Sequence, residues 1–339
     1  MITYEDTIIE EPTKLRTGKK LILASKEYAV EDRSKSWRYT FSTLAYLTLA
    51  ILGTTLDYNW SIHSAFNLVF SEISALFIVK FFVIYHDYLH RAILQKSKLA
   101  EVIMTIFGIF VLAPVTIWKR THDHHHHNNS KLSSGGIGSY PLVSKEKFYR
   151  MSSKQRFAYL AARHPLTIFS GYLTLFIFDF NVSSIIKSPK NHWDSAIALI
   201  LHFTIASIIF YFGSLSALFF SWLLPFILAH GLGSYLFFAQ HNFPGATFAE
   251  NKDWDYANAA IQSTSFLVMN PVMNWFTGNI GYHHVHHINH RIPFYRLKET
   301  MEEMPELQNP ITTTLHPRDM IACLKLKVWD PEKGEMVSL

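Results

Sequence analysis

Long apolar runs alternate with polar connections along this chain. Residues 1–38 carry charges of both signs and show no sustained apolar period, which predicts a polar N-terminal segment without a cleavable signal peptide. Tyr39–Leu56 is an uncharged apolar run, Asp57–Trp60 is a short break, and Ile62–Tyr85 is a second run interrupted by Glu72 and Lys80. About 20 helical residues cross the roughly 30 Å hydrocarbon layer of a bilayer, so the two runs predict a helical hairpin that returns to its starting side. Val102–Ile117 and Leu166–Phe178 are apolar but short, and predict re-entrant or interfacial segments. Ser195–Gln240 contains no charged residue and is long enough for two crossings, with the turn at Gly213 and Ser214. Asn128–Arg163 is polar and reads as a surface connection, and the chain from Asn242 onward is mostly polar apart from Phe266–Phe276.

The pattern predicts an all-α integral membrane protein with about four transmembrane helices plus re-entrant or interfacial ones. Its expected parts are a cytoplasmic segment 1–38, a membrane domain 39–312 and a cytoplasmic tail 313–339. Composition sharpens this. Of the residues, 49% are hydrophobic, 15% aromatic and 17% charged, where soluble domains average about 25% charged. The net charge of +5 and the pI near 9.0 fit Lys and Arg gathered on the cytoplasmic side of a membrane. No basic run is interleaved with aromatics, so a nucleic-acid groove is not expected. Cys323 is the single cysteine, which excludes an intramolecular disulfide and any cysteine-ligated zinc or iron–sulfur site.

Nineteen histidines are the anomaly, and thirteen of them fall into four short groups at the ends of apolar runs or in polar loops. The first holds His86 and His90 in an HxxxH spacing, which places both imidazoles on one helical face. The second, within Trp118–His127, contains HxxHH at His122, His125 and His126. Adjacent helical residues diverge by about 100°, so His125 and His126 can reach toward two different metal ions. His241 stands alone in Gln240-His241-Asn242, and HxxHH returns at His283, His286 and His287. Imidazole suits iron, zinc, copper and nickel. Nine imidazoles are more than twice what one four-coordinate site uses, so they point to a dinuclear centre. A His-rich run alone is as readily a weak surface metal binder, but four groups arranged in this way argue against that. If all four meet, an even number of crossings separates His126 from His241. Two crossings within 195–240 satisfy this, as does one span over 166–186 followed by a single crossing.

The ordered set HxxxH, HxxHH and HxxHH between paired spans resembles the membrane fatty-acid desaturases, closest to their bacterial and cyanobacterial acyl-lipid branch. Three stretches carry the resemblance: Trp118-Lys119-Arg120-Thr121-His122, Phe238-Ala239-Gln240-His241-Asn242-Phe243, and the block from Trp275 to Leu297. It covers roughly residues 60–300. The resemblance implies that His86, His90, His122, His125, His126, His241, His283, His286 and His287 ligate two non-haem irons in a cytoplasmic helical domain capping the membrane helices. It further implies O2 as co-substrate, an acyl-lipid or acyl-thioester substrate, and electrons from a ferredoxin or cytochrome b5-type donor. No His-Pro-Gly-Gly haem motif occurs, so the donor is expected to be a separate protein. One departure stands out. A relative in animals has an iron-supporting Asn four residues before the isolated histidine, where this chain has Phe237. Asn279, four residues before His283, is a candidate substitute acting through water, or a turn residue.

Asp87 is a candidate to orient a ligating imidazole. His124, His127, His284 and His290 are read as neighbours of ligands, and His63, His202 and His230 as packing residues. Asp253-Trp254-Asp255 is either a headgroup entrance or a turn, and Lys119 and Arg120 mark the cytoplasmic interface. Two other functions compete. Hydroxylation of a lipid, alkane or carotenoid uses a related iron site, and a metal transporter would place its ligands near the bilayer midplane.

Overall fold

The computed structural model describes residues 15–54, 63–134 and 136–339; the first fourteen residues and the predicted break Asp57–Trp60 lie outside the described residues. Arg33–Gly53 (α1) begins at Asp32, whose side chain accepts from the Lys35 N–H at 2.9 Å. His63–Leu89 (α2) is 27 residues long, about 40 Å at 1.5 Å per residue. The two pack as a hairpin, with Tyr46 stacked on Phe77. Lys98–Phe110 (α3) and Val115–Asn128 (α4) meet at a 90° bend. Trp193–Phe212 (α5) and Leu215–Ala239 (α6) are joined at Gly213 and Ser214, the Ser214 hydroxyl accepting from the Ala217 N–H. Two crossings thus fit within the uncharged stretch, with the turn where the sequence puts it.

Among the described residues three helices, Ala65–Leu89 of α2, α5 and α6, are long and apolar enough to cross a membrane, four if the bent α3–α4 pair counts as one. α1 has the length but not the hydropathy, since its turns carry Arg33, Lys35, Arg38 and several Ser and Thr. On α5, Ile200, Leu201, Phe203, Ile208 and Phe210 are exposed. An apolar face of that extent is what lipid tails cover. These are the features of a mostly helical membrane protein.

The bend between α3 and α4 turns the backbone at Val111–Pro114, and Leu112 has a positive φ of 58°. Carbonyls released at such a turn need donors wherever water is excluded. Three side chains from three elements supply them in succession. His230 Nε2 of α6 donates to Val111 at 2.9 Å, Asn181 Nδ2 to Leu112 at 2.8 Å, and the Tyr85 hydroxyl of α2 to Ala113 at 2.8 Å. Asn181→Leu keeps the volume and removes one donor. It is expected to destabilise the protein by about 1–3 kcal/mol, read as a lowered melting temperature in detergent; an unchanged value would mean that the Leu112 carbonyl finds another partner.

Asn181 belongs to a twelve-residue π-helical segment, Tyr172–Ser183, preceded by Pro165–Phe169. The predicted short apolar segment is therefore helical. It starts beside the end of α6, where Phe169 stacks on Tyr235, and ends at the start of α5, where the Ser195 hydroxyl donates to the Phe180 carbonyl. Lys80, which interrupts the second run, is buried in α2; its Nζ donates to the Trp275 carbonyl at 2.8 Å and lies 3.1 Å from the centroid of the Trp275 ring. A carbonyl and an aromatic face offset part of the cost of a charge there.

The expectation of an all-α fold needs correcting in two places. Phe266–Val268 pairs in parallel with Thr312–Thr314, and Val328–Asp330 pairs antiparallel with Glu335–Val337. Strands of three residues are too short to leave a readable alternation. Residues 313–339 also fold onto the connection that precedes Arg163: Trp329 N–H donates to the Val143 carbonyl at 3.1 Å, and Lys145 pairs with Asp330 at 3.0 Å.

Candidate metal centre

Four segments carry the nine histidines to one place. His86 lies in the last turn of α2, and His90 just beyond it, where the chain leaves the helix through Arg91 at φ 61°. His122, His125 and His126 lie on α4. The N-terminus of α4 is fixed by Asp194 at the start of α5, whose two carboxylate oxygens accept from the Thr116 N–H at 3.1 Å and hydroxyl at 2.6 Å. A carboxylate is favoured at a helix N-terminus by the backbone dipole. His241 follows the end of α6. His283, His286 and His287 belong to the short helix His283–Ile288 (α7).

These side chains sort into two buried sets, each with ligand atoms within 4.8 Å of one another: His86, His90, His122, His126 and His286, and His125, His241, His283 and His287. Adjacent His125 and His126 fall into different sets, as the helical turn requires. In the second set the Nε2 atoms close a ring, at 3.0 Å for His125–His241, 2.9 Å for His241–His283, 3.2 Å for His283–His287 and 3.3 Å for His287–His125. In the first, His126 Nε2 lies 3.1 Å from both His122 Nε2 and His286 Nε2, and the buried His90 Nε2 has no hydrogen-bond partner.

A neutral imidazole nitrogen offers either one proton or one lone pair, so at most two of the four contacts in the Nε2 ring can be hydrogen bonds. One metal ion accounts for all four. Nitrogens about 2.1 Å from one ion and at right angles lie about 3 Å apart, which matches the observed spacings. The far nitrogens of two rings are held as ligation requires: His86 Nδ1 faces Asp87 Oδ1 at 3.1 Å, and His241 Nδ1 faces the Ser263 carbonyl at 3.3 Å. Burial pushes the His241 imidazole down to about 3. Burial first, and then neighbouring imidazoles, hold His90, His283, His286 and His287 well below the ordinary range. All five are thus neutral at pH 7, the form that binds metal.

Asp87 and Asn279 share an anchor. The Phe294 N–H donates to Asp87 Oδ2 at 2.6 Å, and Asn279 Nδ2 donates to the Phe294 carbonyl at 3.3 Å. Asn279 has φ 57° in the turn before α7, a conformation Asn tolerates better than most residues. Phe237 packs its ring 5.0 Å from His125 and 5.7 Å from His241. Trp254 donates to the Asn129 carbonyl and Asp255 caps the following helix, so this patch is a turn. His284 binds the Leu307 carbonyl, His127 is exposed, and His202 accepts from Trp222. His290 lies nearer the centre than its spacing suggests, with its ring 4.7 Å from His90 and 5.2 Å from His126.

Two residues outside the histidine pattern support the centre. Trp118 stacks on His122 at 4.1 Å. Arg163, fully buried, donates to the Pro141 carbonyl at 2.8 Å, Asn242 Oδ1 at 2.7 Å and the Leu326 carbonyl at 3.2 Å, tying the polar connection and the tail to the residue after His241. A cavity of about 380 Å³ opens beside the centre, walled by Ile78, Val79, Phe82, Phe176 and Leu236, and touched by His86 and His122 of one set and His283 of the other.

Apolar helices ending in two adjoining imidazole sets, beside an oily cavity, are the features of a membrane protein with a candidate metal centre. The chain belongs to the fatty acid desaturase family, whose profile matches residues 62–316. It is 27% identical to a fatty acid desaturase of Bacillus subtilis (strain 168) over 280 residues, 80% of this chain and 77% of that one. With the sn-1 oleoyl-lipid 12-desaturase of Synechocystis it shares 24% identity, covering 84% and 80% of the two chains. An omega-6 fatty acid desaturase of Spinacia oleracea chloroplasts is 24% identical over 68% of this chain, which spans about half of that longer protein.

Proposed function

We propose that this protein introduces a cis double bond into the acyl chain of a membrane lipid, using O2 and electrons from a separate ferredoxin or cytochrome b5-type donor. The observation that carries the reading is the cavity: it is mainly apolar, and imidazoles of both sets line it. An acyl chain lying there brings its methylenes to the metals. The cyanobacterial relative, named for oleoyl groups on lipid, supports a glycerolipid carrier. His86, His90, His122, His126 and His286 would hold one non-haem iron, and His125, His241, His283 and His287 the other. When bound, the iron pair supplies O2 activation and removal of hydrogen from two adjacent carbons. O2 then takes two electrons and two protons from the acyl chain and two of each from donor and solvent, and leaves as two waters. The protein's own part is to fix the imidazoles through Asp87 and Ser263 and to hold the chain in a dry cavity.

The membrane arrangement follows from the same meeting of segments. α1, α2, α5 and α6 cross, while α3–α4 and 165–187 enter and return, an arrangement that puts His90, His122 and His241 on one side. Lys119, Arg120, Lys187 and Lys190 on that side favour the cytoplasm. Segment 1–38, membrane domain 39–312 and tail 313–339 are the corresponding parts, with the tail folded onto the connection before Arg163.

The test is a fatty-acid profile by gas chromatography–mass spectrometry after expression in a bacterial host, with His286→Ala at matched expression as control. A new unsaturated species that disappears in the control is expected. Hydroxylated acids without any alkene would overturn desaturation in favour of hydroxylation.

A further inference from the structure

A second, smaller chamber of about 40 Å³ touches the four-histidine set at His125 and His241. Its lining is mixed where the acyl cavity is mainly apolar: His124, Asn129, Ser130 and Asn242 stand beside Ile137, Leu142 and Phe248. It has room for ordered water, which needs about 10–15 Å³ of such space, and the polar side chains offer the partners that such a water needs. Two spaces of different character therefore meet one imidazole set, the larger at His283 and the smaller at His125 and His241. Among the described residues, Ser139, Tyr140 and Phe237 line both.

We infer that Phe237 is a partition, a ring that closes the acyl cavity against the smaller chamber at the four-histidine set. Its ring lies between the two spaces and packs on His125 at 5.0 Å, His241 at 5.7 Å and Tyr140 at 6.3 Å. The loop carrying Tyr140 cannot draw back easily from α4. At Gly138, φ 65°, a Cβ would collide with the Thr121 carbonyl, so backbone lies directly on backbone there. Phe237 lies in the last turn of α6, four residues before His241, and packs on its ring, so the end of one helix places both the ligand and the wall. Water leaving the centre then finds the polar side chains of the smaller chamber, and water is kept from the alkyl chain. Without the wall the two spaces merge, and polar solvent enters the apolar cavity beside His283.

The inference rests on the desaturase reading for one of its two readouts and is independent of it for the other. The independent one is longitudinal relaxation of bulk-water protons by detergent-solubilised protein loaded with Mn(II), without substrate. Phe237→Ala is expected to keep the wild-type metal content and to raise the relaxation rate per bound Mn(II) severalfold, because solvent exchanges more freely with the metal. The second readout uses the iron-loaded enzyme with substrate and donor: the number of double bonds formed per O2 consumed falls severalfold. Electrons and protons then come from donor and solvent alone, and the O2 leaves as hydrogen peroxide after two of each or as two waters after four. Phe237→Leu, which shrinks the ring without emptying its place, should give intermediate values of both. Wild-type relaxation in Phe237→Ala with full metal content would overturn the partition. Loss of metal from the alanine variant passes the decision to the leucine variant, and loss from both would make Phe237 packing for the ligands and overturn it as well. Increased relaxation with no desaturation in any form, the wild type included, would uphold the partition and remove the desaturase reading.

Discussion

His126→Ala is expected to bring desaturation to background and to strip iron from the protein, while His127→Ala leaves both unchanged. His126 Nε2 stands 3.1 Å from two other members of its set, and its ring stacks at 4.3 Å on His287 of the other set. Its loss thus opens the first set and removes the contact that spaces the second. Replacing mere supporting partners of metal ligands costs about 10–100-fold in affinity or activity, so removing a proposed ligand should cost at least about 100-fold by the same scale. His127, next in the chain, is exposed and has its Nδ1 2.6 Å from the Asp123 carbonyl. Iron per chain by mass spectrometry and unsaturated product by chromatography decide together. Wild-type iron in His126→Ala, or equal losses in both variants, would remove His126 from the ligand set.

Arg163→Ala should produce the largest loss of stability of any single change outside the histidines. The guanidinium is completely buried and has no carboxylate partner among the described residues; its attachments are two carbonyls and the Asn242 amide oxygen. Burial lowers its affinity for the proton, though not enough to discharge an arginine. Removing it leaves three acceptors without their donor, at about 1–3 kcal/mol each, and a void the size of the side chain. A total of about 3–5 kcal/mol is the expected order for breaking a buried charged network. Arg163→Lys should restore little, because a point charge cannot span three acceptors in the plane of the fork. Thermal unfolding in detergent measures this, and a lysine variant as stable as wild type would show that charge, not geometry, matters there.

Much of the centre was legible because ligands and spans write themselves locally. HxxxH and HxxHH are helical spacings, and the eight histidines they single out, with the isolated His241 at the end of an apolar run, are those that the fold gathers. The turn at Gly213 and Ser214 and the shortness of Val102–Ile117 are likewise local. What stayed hidden lies in partners far apart in sequence. His230 looked like a packing residue because its acceptor, Val111, is 119 positions away. Arg163 looked like the end of a polar surface loop because Asn242 and Leu326 come 79 and 163 positions later. The strands Phe266–Val268 and Thr312–Thr314 hide for the same reason, each being meaningful only beside the other. His290 was set aside because it falls outside the HxxHH spacing, and the extended backbone at Asn289 is what brings it back to the centre.

The dispersal of the nine donors also governs how the molecule is made. A chain leaves the ribosome N-terminus first at about 5–20 residues per second, and 160 positions separate His126 from His286. The nascent chain therefore waits roughly 10–30 seconds at that pace with α2 and α4 already synthesised, the five-histidine set still short of His286 and the other set holding His125 alone until His241 arrives. Neither set is complete until α7 has emerged. On the proposed reading metallation is a step of maturation rather than of translation, and a message ending before residue 283 leaves both sets without their last histidines.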